Sequence, residues 1–487
     1  MKCSYKSVPS RSFARLAALA AAAIPLVSAQ ADTLYWTGAN ATPSSWATLT
    51  NWSTDANAAT PNPVAAPGFA DNVVFNTSVF DGNHIVTTTT TIGANSITFD
   101  NTGTTQIQSS SSTARTFNLG AGGITVNSGA GGSNLGNSSA TLAVRIEASQ
   151  TWTNNSTSLL RAHNAVSGPS GADPVTLTIA NTNTGQTTFS NALNNGAGGG
   201  VVSLVIDSSG SGVVNGPNSS STYSGGTSIK RGILSSASTT YGTGSLSFDA
   251  TSGNSATLRV NTTAAVTTNL VANASGGTNT LEFIATTAST YNGNITLNGD
   301  LTVGVRNVTN GSTLNGIISG SGDLIKGQYQ GTNTTGLLTL GGANTHSGDT
   351  TVNVGALTLA TTGSLTFYIG ANGMTNQVNG ASTGAITFNG TFNLNLAGAS
   401  LVDGNSWTLV NVSNETYGAS FSITSFNDND ADNIWTNGSG FSFDEATGVL
   451  SYVASTIPEP STYTLLGGTG ALLVALYRRK PQAAPGA

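Results

Sequence analysis

Ile317-Ile-Ser-Gly-Ser-Gly-Asp-Leu-Ile-Lys326, Gly336-Leu-Leu-Thr-Leu340, Gly342-Ala-Asn-Thr-His-Ser-Gly348, Thr350-Thr-Val352 and Gly355-Ala-Leu-Thr-Leu359 follow one another in one short stretch. Each piece reads as a turn of Gly, Asn and Ser feeding a short strand. Gly reaches positive φ without steric cost, and β-branched and aliphatic side chains suit a pleated surface. Apolar positions alternate in Leu338-Thr-Leu340 and Leu357-Thr-Leu359, so one face of each strand points into a core. The unit repeats. Thr222-Tyr-Ser-Gly-Gly-Thr-Ser-Ile-Lys-Arg-Gly-Ile-Leu234 aligns without gaps to Thr345-His-Ser-Gly-Asp-Thr-Thr-Val-Asn-Val-Gly-Ala-Leu357, and Tyr291 to Leu301 is a looser relative. Gly225, Thr227 and Gly232 correspond to Gly348, Thr350 and Gly355, which makes these six the repeat-motif positions.

No 3.6-residue apolar period is visible between Asp32 and Thr456. Such strands bury their apolar face when coils stack about 4.8 Å apart, each strand pairing with the coil above and below. The repeat pattern resembles the autotransporter-associated β-strand repeat of secreted passenger proteins. That resemblance is close over 317–359 and looser over most of 90–400. It implies an all-β, elongated, right-handed parallel β-helix. At roughly 20 residues per coil, about 15 coils are expected. No translocation barrel of the autotransporter type is legible, because 401–457 is too short for one. Aromatic residues concentrate at the two ends of the body. Eight lie in 33–100, eight in 401–457 and only 13 between. An open solenoid end invites edge-to-edge pairing, so these clusters are expected to form caps. The expected organisation is 1–31 signal peptide, 32–100 lead-in cap, 101–400 repeat body, 401–456 C-terminal cap and 457–487 tail.

Both termini read as addresses. Lys2 to Arg15 is basic, Leu16 to Val27 is apolar, and small residues follow in Val27-Ser-Ala29-Gln-Ala31. That order is the order of a secretory signal peptide. At the other end stand Pro458-Glu459-Pro460, an apolar run from Tyr463 to Tyr477, and Arg478-Arg479-Lys480. The basic stop places the end of the run on the cytoplasmic side. The tail resembles the PEP-CTERM sorting signal, and Pro458, Glu459 and Pro460 match its motif residue by residue. The resemblance implies an exosortase-type sorting enzyme as partner, transient membrane anchoring through the tail, and export to the cell surface or extracellular polysaccharide. Cys3, the only cysteine, lies in the signal, so no disulfide framework is expected.

Charged residues make up 7% of the chain, against about 25% in an ordinary soluble domain. Between Asp32 and Ile457 there are eight basic and 20 acidic residues, a net charge near −12. Nothing in that balance recruits a phosphate backbone, so nucleic acid is excluded. His84, His163 and His346 form no metal-ligand spacing and read as ordinary turn or surface residues. Gly380-Ala-Ser382-Thr-Gly384 matches a nucleophile elbow, but no His follows it, and the chemistry requires one. Asp428-Asn-Asp430-Ala-Asp432-Asn433 places oxygens at the first, third and fifth positions of a calcium loop. Its twelfth residue is Ser439, so the bidentate Glu is missing and a solvated acidic turn is expected. Charges in 101–400 are scattered singly along the sequence, with Lys230-Arg231 the one adjacent basic pair. No catalytic set, metal site or cofactor is expected, and the chain reads as a structural or adhesin-like surface protein rather than an enzyme. The alternatives are a carbohydrate-binding protein that stacks sugars on Trp46 or Trp52, and a polysaccharide-degrading β-helix enzyme.

Overall fold

The computed structural model describes residues 31–454, apart from 39–42, 58–62, 64, 77–81, 218–220, 307–308, 310, 332–335 and 382. The chain is an all-β solenoid of parallel stacked coils, about 13 turns in all. Among the described residues the one helical element is the short turn Leu49–Asn51. The coils are longer than the expected 20 residues. Side-chain bonds between adjacent coils join residues 27 apart at Asn127 and Asp100, 21 apart at Ser228 and Asp249, and 31 apart at Thr391 and Ser422. Fewer turns therefore take up the same chain.

Alternation along each strand builds the core. On one face Val73 stacks on Ile97, then Ile124, Trp152, Ile179, Ile206, Ile229 and Phe248, all buried. A second face runs from Ser44–Ser45 through His84–Thr88 and Leu160–Ala162 to Val410–Asn411, always in parallel register. In the best-matched repeat, Leu338 lies against Leu357 and Leu357 against Ile386, while Thr339, Thr358 and Thr387 form the outward row. The inward rule also holds where it is costly. Lys326 sits between Val303 and Val352 in register and is fully buried. Its Nζ donates to the carbonyls of Gly327 at 3.1 Å and Val354 at 3.2 Å, and burial lowers its pKa to about 8.

Both ends are closed by aromatic clusters. Thr33–Trp36 pairs in parallel with Asn72–Phe75 and antiparallel with Trp52–Ser53. Trp52 meets Trp36 and Trp46 edge-on at 4.9 and 5.0 Å. At the other end Ser406–Thr408, Val449–Tyr452, Phe441–Asp444 and Ile434–Thr436 form an antiparallel sheet over Phe392 and Phe421. The outermost strands Ser44–Ser45 and Trp52–Ser53 are two residues long, which leaves little edge to template another chain. Parallel pairing already runs through 33–99 and still holds Glu415–Tyr417 and Ser422–Ile423. Both end segments therefore contribute coils as well as lids.

Candidate functional site

The repeat-motif residues shape the corner of each coil and let it approach the coil below. Tyr223 Oη and Thr227 Oγ1 share a buried hydrogen bond of 2.6 Å, and His346 Nε2 and Thr350 Oγ1 share the equivalent one at 2.9 Å. In the looser copy Ile295 replaces the threonine, and Tyr291 Oη donates instead to the Thr268 carbonyl at 2.7 Å. Gly232 and Gly355 adopt φ of +96° and +81° at the corners. A Cβ on Gly348 would stand 2.3 Å from the Gly322 carbonyl of the coil below, and one on Gly225 would stand 2.1 Å from Ser203 Oγ.

His346 and His84 are therefore core residues, which corrects the surface reading. Each is almost wholly buried. The Trp36 indole donates to His84 Nδ1 at 3.0 Å. Burial pushes the His346 imidazole down to about 4, although nearby Asp349 acts the other way. Its folded form stays neutral while the unfolded chain takes up a proton below about pH 6.5. Stability should therefore be complete above pH 6.5 and fall as the pH drops toward 4, by up to about 3 kcal/mol. His346→Tyr copies the other repeat and should flatten that part of the curve. Urea unfolding at successive pH values checks this, and an unchanged slope would place the titration elsewhere.

Trp46 and Trp52 are buried in the N-terminal cap, so neither presents a ring face to a sugar. Trp52 Nε1 donates to the Trp46 carbonyl at 2.8 Å and Trp46 Nε1 to the Pro67 carbonyl at 3.3 Å. The oxygens of Asp428, Asp430 and Asp432 lie within 4.8 Å of one another. Both carboxylate oxygens of Asp428 accept backbone N–H groups, from Asp432 at 3.2 Å and Asn433 at 3.3 Å, and Asn433 has φ of +66°. That is the geometry of a self-capped acidic turn. Ser382 lies outside the described residues, as do Pro458, Glu459, Pro460, Arg478, Arg479 and Lys480. Among the described residues no helix is long and apolar enough to cross a membrane.

One arrangement escapes a linear reading. Asp300, Asp323 and Asp349 stand on successive coils. Asp323 N–H donates to Asp300 Oδ1 at 3.0 Å, Asp349 N–H to Asp323 Oδ1 at 2.8 Å, and Gln377 N–H to Asp349 Oδ1 at 2.8 Å. Asn379 occupies Asp349 Oδ2. Each carboxylate thus caps the next coil, and Asp323 Oδ2 faces outward without a protein partner among the described residues. Burial, then the charges of Asp300 and Asp349, hold the Asp323 carboxyl above its ordinary value, against the pull of the Asp349 amide. The ladder borders shallow depressions along one edge of the rod. One of 440 Å³ includes Asn298, Asp300 and Ser321. A second, of 610 Å³, includes Asp323, Asp349, Tyr368, Met374 and Asn376. A third, of 250 Å³, shares Tyr368 and Gly370 with the second.

No family model matches the chain, and no curated protein or solved structure matches it.

Proposed function

We propose that this chain is an exported structural or adhesin-like protein of the cell surface or extracellular matrix, delivered through its C-terminal tail. The observation that carries the reading is the body itself. It is a long parallel solenoid without cysteine, closed at both ends, whose outward positions are mainly small polar residues. A rod held by stacked backbone bonds needs no redox chemistry to persist outside the cell. The addresses supply the destination. Lys2 to Ala31 reads as the export signal, and Pro458-Glu459-Pro460 with Arg478, Arg479 and Lys480 resembles the PEP-CTERM signal handled by an exosortase. The three aligned carboxylates are tied to backbone N–H groups, and a scaffold role accounts for them without hydrolysis.

Mass spectrometry of the protein recovered from each cell fraction tests this reading. The expected product starts after Ala29 or Ala31, ends near Pro458-Glu459-Pro460 and comes from the envelope or medium. Recovery only of protein ending at Ala487 would refute processing, and recovery only from the cytoplasm would refute export. Release of reducing sugar from extracellular polysaccharide by the purified chain would make it an enzyme instead.

A further inference from the structure

We propose that the edge groove around Tyr368 and the Asp323–Asp349 ladder is a binding site for a neutral polysaccharide chain. The inference deepens the surface reading by naming a ligand and rests on that reading for its extracellular setting. Four observations converge on it.

The groove is elongated. Its depressions lie on consecutive coils, and the Asp323–Asp300 bond joins the first to the second while Tyr368 and Gly370 join the second to the third. Coils rise about 4.8 Å each, close to the length of one sugar residue, so a polymer can meet the same groups once per coil.

One wall is built in advance. Gly370–Asn376 leaves the coil and is closed by Gly370 N–H to the Met374 carbonyl at 2.8 Å. The C-terminal cap braces it, with Trp407 Nε1 donating to the Ala371 carbonyl at 2.7 Å and Ser406 N–H to Asn372 Oδ1 at 2.8 Å. A wall fixed before binding loses little conformational entropy on binding.

The ring is held at the surface. Tyr368 is 37% exposed, yet its hydroxyl donates to the Thr345 carbonyl at 2.9 Å and its N–H to Asn376 Oδ1 at 2.8 Å. A rigid, half-exposed aromatic beside hydroxyl, amide and carboxylate groups suits the C–H face and hydroxyl rim of a sugar.

The charge selects the class. No lysine or arginine lines any of the three depressions, whereas Asp300, Asp323 and Asp349 do. An acidic or sulfated glycan would meet only like charge, while a neutral one can donate hydroxyls to Asp323 Oδ2.

Calorimetric titration of the full exported chain tests the assignment. The probes are neutral hexasaccharides of glucose, mannose, xylose and N-acetylglucosamine, with oligogalacturonate and calcium chloride alone as comparisons. Saturable binding of at least one neutral hexasaccharide, retained at high salt, is the expected result. Tyr368→Ala should weaken it at least tenfold, Tyr368→Phe should leave it within about twofold, and Asp323→Asn should weaken it severalfold while keeping the Oδ1 cap. Asp323→Asn keeps the site testable should Tyr368→Ala unfold the wall, which near-ultraviolet circular dichroism would reveal. Failure of every neutral probe, preference for oligogalacturonate, heat from calcium alone, or binding indifferent to both variants would overturn the proposal. A chain that reaches the surface but binds no neutral glycan sinks only the groove. One that binds but stays in the cytoplasm sinks only the surface reading.

Discussion

Trp52→Ala should destabilise the N-terminal coils by about 3–5 kcal/mol and leave the distant coils largely intact. Trp52 is fully buried, touches the rings of Trp36, Trp46 and Phe75, and donates its indole N–H to the Trp46 carbonyl. Truncation removes the ring, leaves a cavity that neighbouring rigid rings cannot fill, and orphans a buried carbonyl. Solenoid stability is close to a sum of coil and neighbour terms, so the loss should spread only as far as cooperativity carries it. Hydrogen exchange locates it. Amides of Asn72–Phe75 and Ile92–Phe99 should lose protection, while those of Leu324–Gly327 and Gly355–Leu359 should keep theirs. Uniform loss along the rod would mean that the solenoid unfolds as one unit and that the cap guards all of it. No loss at all would return Trp52 to the role of an exposed platform.

The parallel fold was legible because strand alternation and Gly-marked turns recur at short intervals, and stacked coils are the arrangement that buries such faces. The details that depend on neighbouring coils were not. Thr227–Ser236 reads as two strands parted by a turn at Gly232. In the fold it is one strand bent at that glycine, its first half pairing with Leu246–Phe248 and its second with Ser255–Val260. The acidic ladder is invisible for a similar reason. Its steps span 23, 26 and 28 residues, so no fixed period brings Asp300, Asp323, Asp349 and Gln377 into line. The burial of His346 had a signal. It aligns with Tyr223, and both precede a buried threonine by four residues. Lys326 had one too, since Leu324 and Lys326 share the inward parity of their strand. Charge argued for the surface there, and register prevailed because turning Lys326 out would turn Leu324 out with it.

Register also fixes the contrast between Leu357 and Thr358. Leu357 is 1% exposed and lies between Leu338 and Ile386, whereas Thr358 is half-buried in the outward row between Thr339 and Thr387. Leu357→Ala should cost about 2–5 kcal/mol, as should Leu340→Ala, because the thin core has few mobile side chains to fill the space. Thr358→Ser removes a methyl from the solvent side and keeps the hydroxyl, so it should cost under about 0.5 kcal/mol. Denaturant unfolding of the three variants decides the point, and the leucine variants should show a partial transition as the damaged coils open first. Equal costs for Leu357→Ala and Thr358→Ser would mean that this strand is shifted by one residue. Side chains alternate with a period of two, so Leu359 and, through the paired strands, Leu338, Leu340, Ile386 and Phe388 would then all face water.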